Sequence, residues 1–221
     1  MRKNDWQIEK TGVFATPTAV IVSATVDGKI SSVVKRIKKR STDLNKVFEI
    51  NALSRTISQY NFDIAVCEKI LAEIEKGNYY SDNRKIFFAG VGTAVLTVLF
   101  GGGVPDMFAS FFIGCTVKYV TGLFGKISLN DFFINMIGAA IIPTIAILLV
   151  KFRFIYTIDK VIMGSIMLLV PGLPLTNAIR DILDGELLSG AMKIEEVLLI
   201  GIAVTIGMCF VLNLYIRYGG V

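Results

Sequence analysis

Residues 168–190 read LLVPGLPLTNAIRDILDGELLSG. The run opens apolar, meets Pro171, Gly172 and Pro174, and continues as a polar helix carrying Asn177, Arg180, Asp181 and Asp184. A segment that only had to fill a bilayer would have no use for that interruption. In an apolar solvent every freed backbone group needs a partner, so a break at membrane depth lines a cavity or a protein interface.

If the segment enters a membrane near Val161, Pro171 lies about 15 Å along it, close to mid-membrane. Proline has no amide hydrogen, so Pro171 frees the carbonyl of Met167 and Pro174 frees that of Val170. Pro174 suits the first position of a new half-helix, with the amides of Leu175, Thr176 and Asn177 facing the break at the positive end of its dipole. Free carbonyls attract an ammonium or a cation, and free amides attract a carboxylate, as at the discontinuous helices of secondary transporters. The expected substrate cradle is therefore Met167, Val170, Pro171, Gly172, Pro174, Leu175, Thr176 and Asn177. A zwitterionic amino acid satisfies both halves of the break, whereas a dicarboxylate leaves the carbonyls unpaired.

Further along, Asn177, Asp181 and Asp184 share a helix face, and Arg180 is placed to pair with Asp184 at i,i+4. Asp181 reads as a proton-coupling or substrate-binding carboxylate. The plainer alternative makes Arg180, Asp184 and Glu186 a solvated helix end just past the membrane. Lys118, inside the apolar run FFIGCTVKYVTGLFG, is a second candidate for proton coupling, because an intramembrane charge is by default functional. Its alternative is to snorkel toward Lys126. Arg180, Asp184 and Asp106, the last in the turn that follows the first span, are candidates for structural or gating roles.

The totals agree with a membrane protein. The chain has 221 residues, 53% of them hydrophobic, and a mean hydropathy of +0.64, too apolar for an ordinary soluble domain. Residues 1–85 hold 15 Lys/Arg and 10 Asp/Glu, and the remainder holds 8 of each. The net charge of +5 therefore belongs entirely to the first 85 residues. The cluster Lys35, Arg36, Lys38, Lys39 and Arg40 reads as positive-inside charge beside anionic lipid rather than as a nucleic-acid site. The polar opening MRKNDWQIEK is unlike a cleavable signal peptide. Histidine is absent, which removes His-based relays, metal sites and catalytic triads together. Cys67, Cys115 and Cys209 are scattered without CxxC spacing. No metal, cofactor or enzymatic chemistry is expected.

Residues 1–85 read as a small cytoplasmic α+β domain. In 13–26, Val20, Val22, Ala24 and Val26 alternate, Asp27-Gly28 gives a hairpin turn, and 29–38 supplies the partner strand. Pro17 demotes the start of the first strand to an edge or bulge. Ser41, Thr42 or Asp43 caps a helix over about 43–58, and a second follows over about 62–76, ending at Gly77. Residues 86–221 read as an α-helical transmembrane domain of five spans: 86–104, 106–125, 132–150, 158–182 (broken at the prolines) and 196–216. Each approximates the 20 or so residues that cross about 30 Å of hydrocarbon. With the basic domain inside, the Gly-rich turn lies outside, and so does the C-terminus.

VFATPTAVIVSATVDG, INALSR, the Gly-Gly-Gly-Val-Pro-Asp turn and above all LVPGLPLTNAIRD resemble the N-terminal half of the threonine/serine exporter family. The resemblance implies an inner-membrane exporter of small hydroxy amino acids driven by the proton motive force. It also implies that some members come as two polypeptides, one such pair being linked to succinate export. Two departures stand out: a helix expected before the VFATPT strand has only about ten residues available, and a second membrane half with its own LVPG segment is not present. One subunit of a split exporter, or a homo-oligomer that substitutes for it, is the reading that follows. A dicarboxylate exporter and a non-transporting membrane assembly or sensor protein are the alternatives.

Overall fold

The structure, a computed structural model, describes residues 8–26, 28–37, 43–59, 63–77, 80–127 and 129–218. Asp27, Lys38, Lys39, Arg40, Ser41 and Thr42, which figured in the sequence reading, lie outside the described residues, as does the opening 1–7.

The N-terminal region carries one strand more than the sequence suggests. Strands β1 (Ile8–Ala15), β2 (Ala19–Val26) and β3 (Lys29–Arg36) form an antiparallel sheet in the order β1-β2-β3. The run 13–26 is not one strand but two, because Pro17 sits in a tight turn closed by Thr16 N donating to the Ala19 carbonyl at 2.8 Å. Gly28 takes φ +70 in the second turn, a conformation that glycine adopts without strain. Val13 pairs with Val22 and Val22 with Val33, while Phe14, Ile21 and Val34 make the same row one residue along. Opposed residues point to one side of a sheet, so each face carries an apolar stripe.

Helix α1 (Leu44–Gln59) is capped by Asp43, whose Oδ1 accepts from the amides of Asn45 and Lys46. It packs on α2 (Ile64–Lys76), with Lys46 Nζ 2.7 Å from the Glu75 carbonyl.

The apolar body begins with α3 (Asp82–Leu99) and α4 (Val104–Lys126), folded back on each other by the Gly-rich turn. Glycines set their separation: a β-carbon on Gly90 would lie 2.5 Å from Cys115 Sγ, and one on Gly114 would lie 2.3 Å from Thr93 Oγ1. Gly101 has φ +84, and Gly102 N bonds the Thr97 carbonyl at 2.9 Å. At the other end Lys126 pairs with Asp82 at 3.4 Å. Helix α5 (Asp131–Lys151) packs against α4 and against the 32-residue α8 (Leu187–Tyr218). Close packing of α5 on α8 depends on Gly207, where a β-carbon would lie 2.1 Å from the Met136 carbonyl. The core gathers Ile113, Val117, Ala139, Ile142, Ala146, Ile155, Val161, Leu169 and Val204.

Among the described residues three helices, α4, α5 and α8, are long and apolar enough by length and composition to cross a membrane. The 18 residues of α3 include Asp82, Arg84 and Lys85. The segment expected as a fourth span is two shorter helices, α6 (Ile158–Ile166) and α7 (Gly172–Leu183). They run in one direction along the body. Lys160 Nζ reaches the Gly101 carbonyl at 2.7 Å, Gly164 lies against Thr97, and Leu169 lies against Gly138. Helix α7 then follows the first half of α8 toward the end marked by Asp82 and Lys126.

Candidate functional site

Between α6 and α7 the backbone closes on itself tightly. Leu168 N and Leu169 N bond back to the carbonyls of Ser165 and Ile166, and Gly172 N bonds the Val170 carbonyl at 2.9 Å. The Val170 carbonyl, expected to be free, is therefore taken. The new helix also starts earlier than expected, at Gly172, because Pro171 serves as its N-cap. Pro174 is its third residue, and Leu175 N already donates to the Pro171 carbonyl at 3.1 Å. The amides of Thr176 and Asn177 fall inside the helix, Gly172 N and Leu175 N are taken and Pro174 has no amide hydrogen, so the expected amide half of the cradle is reduced to Leu173 N. The Thr176 hydroxyl donates to the carbonyls of Gly172 and Leu173, both at 3.0 Å. Among the described residues, no backbone amide donates to the Met167 carbonyl, as proline chemistry at 171 requires.

The break opens onto α8. Leu169, Val170, Pro171 and Leu175 face Val197, Leu198, Gly201, Ile202, Val204, Thr205 and Ile206 across a groove of about 520 Å³. The lining is almost wholly apolar and holds no charged side chain. Gly201 has no heavy atom within 4 Å of a would-be β-carbon, and the Thr205 hydroxyl folds back onto the Gly201 carbonyl at 2.8 Å.

Asp181 is half-buried on α7 and faces the start of α8. Lys193 Nζ lies 2.6 Å from its Oδ2, and Ser189 Oγ donates to the same oxygen at 2.8 Å. The expected pairing of Arg180 with Asp184 is not present among the described residues. Asp184 ends α7, its amide bonding the Arg180 carbonyl, and both residues are exposed. Close approach of α7 and α8 comes from Ala178 and Gly190, where a β-carbon on Gly190 would lie 2.4 Å from Ile182. Lys193 and Ser189 escaped the sequence reading. The signal was there, since Gly185, at φ +88, turns a helical hairpin, and reflection about that turn sends position 181 to 189.

The remaining candidates separate. Lys118 is exposed on the outside of α4 and forms no ion pair among the described residues. Asp106 is 5% exposed, with Oδ2 accepting from Gly103 N at 2.9 Å and from the Thr157 hydroxyl at the start of α6. Its Oδ1 and Ser165 Oγ are buried with no hydrogen-bond partner among the described residues. None of the described residues forms a His/Cys/Asp/Glu cluster able to hold a metal.

Long apolar helices packed through glycines point to a membrane protein. The chain belongs to the threonine/serine exporter family, whose model matches residues 4–215. That is a family of membrane exporters, not of enzymes. The chain is similar to the threonine/serine exporter of Corynebacterium glutamicum, 29% identical over 180 residues, which are 78% of this chain and 37% of that protein. It is also similar to YjjP, the probable succinate transporter subunit, of Klebsiella aerogenes and Escherichia coli. Each is 23% identical, over 89% of this chain and 76% or 77% of the relative. The chain thus spans little more than a third of the C. glutamicum exporter but about three quarters of YjjP. No solved structure shows a significant match.

Proposed function

We propose that this chain is one half of a secondary exporter of small amino acids, threonine and serine, driven by the proton motive force. Substrate binds where α6 gives way to α7. The reading counts α3, α4, α5, the α6–α7 pair and α8 as five spans, with residues 1–85 in the cytoplasm and the protein in the cell membrane. A second subunit carrying its own LVPG segment, or a second copy of this chain, supplies the other half. The match to only 37% of the C. glutamicum exporter supports the split.

One observation carries the choice of substrate. The groove beside Pro171 is small, apolar and free of charged side chains. A binding site of this kind holds its ligand through a few placed polar groups. The Met167 carbonyl, which receives no backbone amide and lies two residues before Leu169 of the groove wall, can receive an ammonium, and the apolar wall can receive a threonine methyl. A dicarboxylate would bring two negative charges to a lining with no cation. The succinate reading is favoured instead by the coverage of YjjP, and Lys118 or the second half would then have to supply the positive charge. Asp181, on the cytoplasmic side of the break in this topology, serves as the proton-coupling carboxylate, with Lys193 as the group it releases on protonation.

Counterflow of labelled threonine, serine and succinate in proteoliposomes tests the reading, with and without the second half. Saturable threonine or serine counterflow is the expected result. Succinate counterflow alone would move the assignment to the alternative, and none of the three moving with both halves present would refute export of these substrates.

A further inference from the structure

We infer that Asp106 is a buried proton-binding carboxylate at the outer end of the body, set beside a group of buried hydroxyls that lies between the Gly-rich turn and α6. The inference rests on the exporter reading for its purpose, but it stands on a separate set of residues and has a separate test.

Asp106 is the starting point because it is a buried carboxylate without a cation. It forms no ion pair among the described residues, and its Oδ1 accepts no hydrogen bond. Among the described residues, no charged group at this end of the body forms an ion pair with Asp106. Lys160 on α6 is spent on the Gly101 carbonyl, and its sequence neighbour Asp159 is exposed. Lys151, Arg153 and Tyr156, around the end of α5, are exposed. The last charged residue of α3 before the turn is Lys85, at the opposite end. Arg217 and Tyr218 close α8, which packs on α5 and α7.

From Asp106 the polar groups continue inward. Ser110, one turn along α4 on the same face, is wholly buried and accepts from Thr97 Oγ1 at 2.6 Å. Thr97, also wholly buried, lies against Gly102 on one side and Gly164 on the other. Thr93, a turn earlier, donates to the Ser110 carbonyl at 2.7 Å. Ser165 follows Gly164, is 1% exposed, and leaves its hydroxyl unpartnered two residues before Met167. Around this strip the core is apolar, with Ala109, Ile113 and Val161.

A plain packing role accounts for part of this. Threonine and serine hydroxyls join helices in membranes, and Asp106 caps α4. That role does not account for two buried oxygens without partners, since each such group costs about 1–3 kcal/mol and an unpaired buried charge costs more. A proton on Oδ1 removes the charge and turns the orphan acceptor into a donor. A metal cation fits less well, because hard cations take about six or more oxygens. Here Oδ2 already accepts two hydrogen bonds, and the Thr97 and Ser110 hydroxyls are bonded to each other.

The proposed step is balanced. A hydronium from the outer aqueous phase gives its proton to Oδ1, forming one O–H bond as another breaks. Asp106 and Asp181 stand on opposite sides of the break.

Infrared difference spectroscopy of the full chain in lipid, recorded across a pH series, is the test. The expected result is a carboxylic-acid C=O band that grows on acidification, shifts in heavy water and disappears in Asp106→Asn. Asparagine can still accept from Gly103 N and Thr157, so the variant should fold. Should it not fold, Asp106→Glu must move the band instead. A spectrum without a band that follows residue 106 overturns the proposal, whatever the substrate is. If the band is present but no substrate moves with the second half supplied, the exporter reading fails and the proton site stands.

Discussion

The Lys193 ammonium lies 2.6 Å from Asp181 Oδ2 across the α7–α8 hairpin, and Ser189 holds the same oxygen. Any proton or substrate that uses Asp181 must displace two donors already in place. Asp181→Asn should therefore abolish proton-driven export while leaving the protein folded and inserted. Lys193→Met should slow export without removing it, because Ser189 still orients the carboxylate. With side chains 31% and 23% exposed, the pair contributes only about 0.5–1 kcal/mol to stability. Transport assays on both variants, with thermal unfolding as control, decide the matter. Full coupled transport by Asp181→Asn would remove that residue from the mechanism.

Gly164 and Gly207 are where the helices approach most closely. A β-carbon on Gly164 would lie 2.0 Å from Thr97 Oγ1, and one on Gly207 would lie 2.1 Å from the Met136 carbonyl. Alanine at either position should cost about 1–3 kcal/mol, the usual range for overpacking. Gly92→Ala meets nothing within 4 Å and should be neutral or slightly stabilising, since alanine favours a helix over glycine. Melting temperatures in one detergent would rank the three.

The two prolines of the break should behave differently. Pro174 lies in the first turn of α7, where its missing amide hydrogen has no intrahelical acceptor, so Pro174→Ala should leave transport within about twofold of normal. Pro171→Ala restores an amide that can reach the Met167 carbonyl, and α6 can then extend. That variant should express and insert normally but lose most transport. Equal effects of the two substitutions would argue against the break as the site.

Lys118 stands exposed on α4 without an ion-pair partner among the described residues. Charged side chains at membrane depth face protein or water rather than lipid, so the second half should cover this face. Lys118→Leu should change the stability of this chain by less than about 0.5 kcal/mol, as surface substitutions do, yet weaken co-purification with the second half. Unchanged co-purification would return Lys118 to snorkelling.

The sequence made the helices legible where periodicity and punctuation agree: Asp43 caps α1, Gly77 ends α2, and the Gly-rich turn folds α3 onto α4. It also placed an interruption at Pro171. Which backbone groups are left free there was not legible. The proline rule gives which amides are missing, but not that Gly172 N would turn back to Val170 or that α7 would begin two residues before Pro174. The third strand was hidden because Pro17 reads equally as an edge residue and as a turn. Lys193 and the hydroxyl strip lay furthest from view, since they join residues on different helices, and no local pattern in one helix announces its neighbour.

Substrate protection at the break is the most direct test of the central claim. Val170→Cys, in a chain with Cys67, Cys115 and Cys209 replaced, puts a single thiol in the groove wall beside Pro171. Reconstituted with its second half, that protein should react with a small polar thiol reagent at a rate that falls several-fold as threonine or serine is added. A labelling rate that neither amino acid alters, in a preparation that still performs counterflow, would contradict a substrate site at the α6–α7 break.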